Sequence, residues 1–124
     1  MTSVASVARL PLPAELLEVM SRLEERLLAW REDARWEVFG HIADGNLHIF
    51  VKPYDDGVHH EASDAIVYGC LDGLDGSISA EHGIGIGKRP WLGLSRSENE
   101  IAMMRQLKGL LDPKNLLNPG KVIG

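Results

Sequence analysis

Between residues 13 and 31, apolar positions recur with helical spacing. Leu16, Met20, Leu23, Leu27 and Trp30 make one stripe, with Leu17 and Leu28 beside it, while Glu15, Glu18, Glu24, Glu25 and Arg26 lie off it. This pattern predicts an amphipathic helix with one buried face. Pro13 is preorganised for a first helical position, and the helix should end near Arg31 to Asp33. From Trp36 to Pro53 the period changes to two, and two β-rich runs flank Asp44-Gly45. That dipeptide favours a type I′ hairpin turn. Taking those two residues as the loop predicts the pairs Ala43–Asn46, Ile42–Leu47, His41–His48, Gly40–Ile49, Phe39–Phe50, Val38–Val51 and Glu37–Lys52. One face then gathers Val38, Ile42, Leu47, Ile49 and Val51, and the other His41, His48, Phe39, Phe50, Glu37 and Lys52. A one-residue slip would destroy this sorting.

Beyond the hairpin, Tyr54 to Val58 reads as a polar loop. A second helix is expected from about His60 to Leu74, with Ala62, Ala65, Ile66 and Gly69 on a narrow face suited to close approach to the hairpin sheet. Asp75 to Pro90 is glycine-rich. Ser97-Glu98-Asn99-Glu100 matches a capping box, so a third helix should begin at Ser97. Ile101, Met104, Leu107 and Leu111 give it an apolar face, and Asp112-Pro113 stops it. Residues 115–124 are turn-rich. The elements predict an α+β domain over residues 13–124, an antiparallel sheet with helices packed on one face. Residues 1–12, interrupted by Pro11 and Pro13, read as a frayed lead-in and lack the basic start of a signal peptide.

Composition narrows the function classes. The chain of 124 residues is long enough for one domain. A net charge of −5 without a local basic cluster argues against a nucleic-acid partner. No apolar run approaches the roughly 20 residues that span a bilayer. Cys70 is the one cysteine, so no internal disulfide can form and a cytoplasmic location fits. On its helix Cys70 reads as a small buried hydrophobe.

Candidate chemistry concentrates on the polar hairpin face. In the expected register His41 and His48 stand opposite each other, with Cβ atoms about 4.5–5.5 Å apart. Two imidazoles at that separation can share a metal ion, and Glu81 in Ser79-Ala80-Glu81-His82-Gly83 is the candidate third ligand. Two histidines and a carboxylate leave coordination positions open for substrate. His–His pairs also occur on solvated sheet faces, where they do nothing in particular. His59 and His60 read as a solvated pair in a polar loop. Gly83-Ile84-Gly85-Ile86-Gly87-Lys88 is not a phosphate loop: no strand clearly precedes it, and neither Ser nor Thr follows Lys88. Its glycines instead let the backbone turn tightly beside Glu81 and His82.

Three segments resemble one family in its order. Phe39-Gly40-His41-Ile42-Ala43-Asp44-Gly45-Asn46-Leu47-His48 looks like the hairpin motif of the FAD-linked oxidases of the vanillyl-alcohol-oxidase type, with D-lactate, D-2-hydroxyglutarate and glycolate dehydrogenases nearest. Gly76-Ser77-Ile78-Ser79-Ala80-Glu81-His82-Gly83-Ile84-Gly85 looks like the second motif. Met104 to Lys108 and Leu111 to Val122 look like the C-terminus. The resemblance implies a ferredoxin-like half of the substrate (cap) domain, a divalent metal such as zinc or manganese at His41, His48 and Glu81, and His82 as general base. It implies oxidation of a small D-2-hydroxy acid to the 2-oxo acid with hydride transfer to FAD. It also implies a flavin-binding domain or subunit as partner, without which the chain should be inactive.

Two positions depart from the family. Ala80 replaces a common glycine, and Phe50 stands where several dehydrogenases carry a polar residue near the substrate. Two other readings remain open: a non-catalytic metal-binding or oligomerising module, and a metal-dependent hydrolase using Glu81 or His82 to activate water. Surface normally covered by a partner domain would lead the isolated chain to form a homodimer.

Overall fold

The computed structural model describes residues 3–7, 13–52 and 57–124. In chain order its main elements are β1 (Ser3–Val7), α1 (Pro13–Trp30), β2 (Arg35–His41), β3 (Asn46–Lys52), α2 (Gly57–Gly69) and α3 (Glu98–Leu111). The strands form one antiparallel sheet in the order β1-β3-β2. The succession β-α-β-β-α with β3 between the other two strands is the opening of a ferredoxin-like, split β-α-β arrangement. The expected α+β class, with helices on one face, is what the molecule has.

One correction falls on the start of the chain. Ser3–Val7 was expected within a frayed lead-in and instead pairs with β3, Ala5 opposite Ile49. Ser3-Val4-Ala5-Ser6-Val7 does not alternate with period two, so no local strand pattern stands out beside the prolines that follow. Residues 8–12 of the lead-in and 53–56 around the expected polar loop lie outside the described residues.

Helix α1 and strand β3 each turn one apolar face to the core. Leu16, Val19, Leu23 and Leu27 of α1 are buried, while Met20, expected in the stripe, remains 44% exposed. Both residues flank the same stripe, and the neighbouring structure covers the Val19 side. Leu47, Ile49 and Val51 of β3 present alternate side chains to the same core, joined by Val67, Tyr68, Cys70, Leu71 and Ile78. Burial of so much apolar surface is the main favourable term in the fold.

Helix α2 departs from expectation in three ways. It begins at Gly57, so His59 and His60 are helical rather than in a loop, and it ends at Gly69 rather than near Leu74. Its inward positions are Ser63, Val67 and Tyr68, not the Ala62–Ala65 face. Gly69 faces α1 instead of the sheet: a Cβ there would stand 3.3 Å from Arg26 Nη1. Arg22 of α1 donates to the carbonyls of Cys70 (3.2 Å) and Asp72 (2.7 Å), tying the two helices where α2 ends.

Helix α3 starts as expected. Ser97 Oγ accepts from the Glu100 amide at 3.3 Å and the Ser97 amide donates to Glu100 Oε2 at 2.7 Å, a complete capping box. The expected burial of its apolar face does not occur among the described residues: no residue of α3 is buried. Asp112 caps its other end. No helix among the described residues is long and apolar enough to cross a membrane.

Candidate active site

The hairpin sets the site, and its register corrects the expected one. Phe39 pairs with His48, Gly40 with Leu47 and His41 with Asn46, two residues away from the predicted pairing. The loop is not the two-residue Asp44-Gly45 turn. Ile42–Asp44 form a short 3₁₀ turn, and Gly45 alone supplies the left-handed residue, at φ 67°. A type I′ turn would need positive φ at Asp44 as well. A shift of two leaves every side chain of Arg35–His41 and Asn46–Lys52 on its predicted face, so alternation could not choose between the two registers. His41 and His48 therefore share a face, as expected, but stand diagonally rather than opposite. Glu37 and Lys52 likewise become a diagonal pair, 4.0 Å apart.

Gly40 is fixed by the same geometry. A Cβ at this position would fall 1.9 Å from the Asn46 carbonyl oxygen. Only glycine lets the strands approach this closely at the mouth of the hairpin.

On the polar face, His48 is buried to 8% exposure. Phe39 stacks on its ring at 5.2 Å and 13°, and Phe50 stacks on Phe39 at 5.3 Å. From the other side comes the segment carrying Glu81 and His82. Glu81 Oε1 lies 3.9 Å from His48 Nε2, and the His82 ring is 5.6 Å from the His48 ring, tilted by 48°. Asn46, also on β3 and 8% exposed, donates from Nδ2 to Glu81 Oε1 at 2.6 Å.

The loop that delivers Glu81 and His82 is held at several points. Ile78 is buried in the core and its amide donates to Ser95 Oγ at 2.8 Å. Ser79 Oγ donates to the Gly83 carbonyl at 3.0 Å. Gly83 and Gly85 take φ of 73° and 56°, the left-handed region, which supports the reading of these glycines as turn formers. The tail returns to close the loop, with the Val122 amide donating to the Gly85 carbonyl at 2.7 Å.

The structure thus brings together three of the four predicted site residues, His48, Glu81 and His82. His41 is solvent-exposed beside them, across from Asn46. Among the described residues no three His, Cys, Asp or Glu side chains stand close enough to hold a metal ion. In kind, imidazole and carboxylate donors at one end of a sheet fit a borderline divalent cation. A buried amide whose Oδ1 has no hydrogen-bond partner marks the same spot as polar and incompletely satisfied. Asn46 was missed in the sequence because the two-residue turn placed it beside the loop, opposite Ala43. Cys70 is buried as expected, its Sγ donating to the Ile66 carbonyl at 3.2 Å, and burial pushes its thiol pKa up.

Comparison with known proteins agrees with this architecture. A family model described as FAD linked oxidases, C-terminal domain, matches residues 10–122. The D-2-hydroxyglutarate dehydrogenase of Xanthomonas citri pv. viticola is 44% identical over 117 residues, covering 90% of this chain and 24% of that protein. The mitochondrial D-2-hydroxyglutarate dehydrogenase of Bos taurus is 42% identical over 93 residues, covering 68% of this chain and 16% of that protein. A Danio rerio protein named as a probable mitochondrial D-lactate dehydrogenase is 42% identical over 91 residues, covering 69% of this chain and 18% of its own length. The chain spans about a quarter or less of the length of these curated relatives. With the match running through the hairpin, the Glu81–His82 loop and the tail, the chain belongs to the family of FAD linked oxidases as a C-terminal domain.

Proposed function

We propose that this chain is the substrate-side part of a flavin-dependent dehydrogenase of small D-2-hydroxy acids, working with a flavin-binding domain or subunit. The observation that carries the reading is the placement of Glu81 and His82 against the buried His48, at 3.9 Å and at 5.6 Å between rings. The names of the relatives, D-2-hydroxyglutarate and D-lactate dehydrogenases, support the substrate class. FAD would accept the hydride that leaves C2, and a divalent cation such as zinc or manganese would supply Lewis acidity toward the substrate oxygens.

The chain's own residues do the rest. His41, His48 and Glu81 would hold the cation. His82, the free imidazole next in sequence to Glu81, takes the proton of the 2-hydroxyl as general base near neutral pH. Phe39, stacked on the His48 ring, keeps that ring's plane fixed and shields one side of it from water. With FAD bound, the hydroxyl proton would pass to His82 and the hydride to the flavin, leaving a 2-oxo acid.

The test is complementation. The chain, combined with the flavin-binding portion of a family member and zinc or manganese, should reduce an acceptor dye with D-2-hydroxyglutarate or D-lactate. His82→Ala should lower turnover by about 10²–10⁴-fold while leaving metal binding in place. The His41→Ala, His48→Ala double variant should lose metal binding by calorimetry. Undiminished turnover in His82→Ala, or ester or amide hydrolysis without flavin, would overturn the assignment.

A further inference from the structure

Asn46 is the one buried polar side chain of the site that the chemistry above leaves unused. We infer that Asn46 is a positioning residue, holding the Glu81 carboxylate in the orientation in which it serves a cation. The inference rests on the reading of Glu81 as a metal ligand. Its starting point is a contrast in exposure between the partners. The Glu81 side chain is 53% exposed and sits on a loop turned by Gly83, so solvent alone would let it sample several rotamers. Asn46 is 8% exposed and opens the central strand β3. The close approach of Gly40 to its carbonyl fixes its backbone further. The 2.6 Å hydrogen bond from Asn46 Nδ2 therefore ties an exposed carboxylate to a buried side chain of the central strand.

The other half of the amide argues that this bond is not there for folding. Asn46 Oδ1 is buried and has no hydrogen-bond partner. An unsatisfied buried acceptor costs stability, and an apolar residue of similar size would avoid that cost. Leucine is such a residue, and Phe39 and Phe50 show that this face of the hairpin accommodates apolar side chains. The chemistry of the donor is also selective. An amide is uncharged, so it aligns the carboxylate through one oxygen without neutralising it as a lysine or arginine would. An aspartate would repel it. Outer-shell partners of this kind orient ligands, and their loss typically weakens metal affinity by about 10–100-fold.

The experiment uses the 124-residue chain and zinc or cobalt(II) chloride alone. Wild type should bind zinc in calorimetry, Glu81→Gln should not, and Asn46→Leu should bind about 10–100-fold more weakly. At the same time Asn46→Leu should keep or raise the urea midpoint, a combination that a merely structural role cannot give. The visible absorption of bound cobalt should change in Asn46→Leu, reporting altered ligand geometry. Zinc affinity and cobalt spectrum equal to wild type would overturn the inference while leaving the metal reading intact. Absence of zinc binding by wild type would overturn both. If Asn46→Leu does not fold, Asn46→Ser, which stays polar but is too short to reach Glu81, carries the same comparison with the same expected loss.

Discussion

Gly40 shows how tightly one residue can be specified. The atom that alanine would add meets backbone, the carbonyl of Asn46 at 1.9 Å, and backbone cannot swing aside as a flexible side chain can. Overpacking of this kind costs about 1–3 kcal/mol, and Gly40→Ala should lower unfolding stability by at least that much in urea titration. The damage should be felt at the site as well, because the displaced strand carries Asn46. A Gly40→Ala protein with wild-type stability and wild-type metal affinity would mean that the hairpin mouth relaxes freely. Phe50 lies at the other pole of specification. Its ring contact among the described residues is the stack on Phe39, at 5.3 Å between rings, and it leaves the ring half-buried.

Among the elements, the end of α3 is held by charge. Lys108 bonds the Asp112 carboxylate, and the amides of Leu116 and Leu117 donate to it at 3.0 and 2.9 Å. Lys108 first, then those two amides, lower the Asp112 pKa from 3.8 to about 2. A carboxyl whose pKa is depressed in the folded state stabilises that state above its ordinary pKa and loses the effect as pH falls through the folded value. The turn after α3 should therefore hold at pH 5 and loosen between 3.8 and about 2. The Leu116 and Leu117 amide resonances should report this in an NMR titration, and a midpoint at the ordinary carboxylate value would contradict it. The capping box at Ser97 and the stop at Asp112 were legible in the sequence because both are local. The β2–β3 register was legible only modulo two residues, since alternation is blind to a shift by its own period. Strand β1 and the role of Asn46 depend on contacts distant in sequence, with β3 and with Glu81, and no local pattern announces them.

For the whole molecule, apolar surface is left uncovered on the hairpin face at Phe39, on α1 and on α3. Helix α1 leaves Leu17, Met20 and Leu28 exposed, and α3 leaves Met103, Leu107, Leu110 and Leu111 exposed at spacings of a single helical face, the last two at 78% and 79%. Leu116 and Leu117 extend the patch. Contiguous apolar patches usually acquire a partner. In isolation the chain should therefore self-associate with rising concentration, and a closed two-fold dimer is the commonest form. Light scattering should show a mass above the 13.7 kDa of one chain, reduced toward it by Leu110→Lys with Leu111→Glu. A monodisperse monomer at high concentration would mean that this surface tolerates water.

The tail's bond to Gly85 has a price in backbone conformation. Val122, which donates that bond, sits at φ 65°, a region that β-branched residues seldom enter. Holding such a residue there costs on the order of 1–3 kcal/mol, comparable with what one hydrogen bond returns. The catch on the Glu81–His82 loop is therefore close to energetic balance. It should open and reclose far more often than the sheet beneath it unfolds, giving the ligand-bearing loop a local rhythm of its own in hydrogen exchange. Release of this one bond would free the Glu81–His82 loop from the tail while leaving His48 and Asn46 in the ladder of β3.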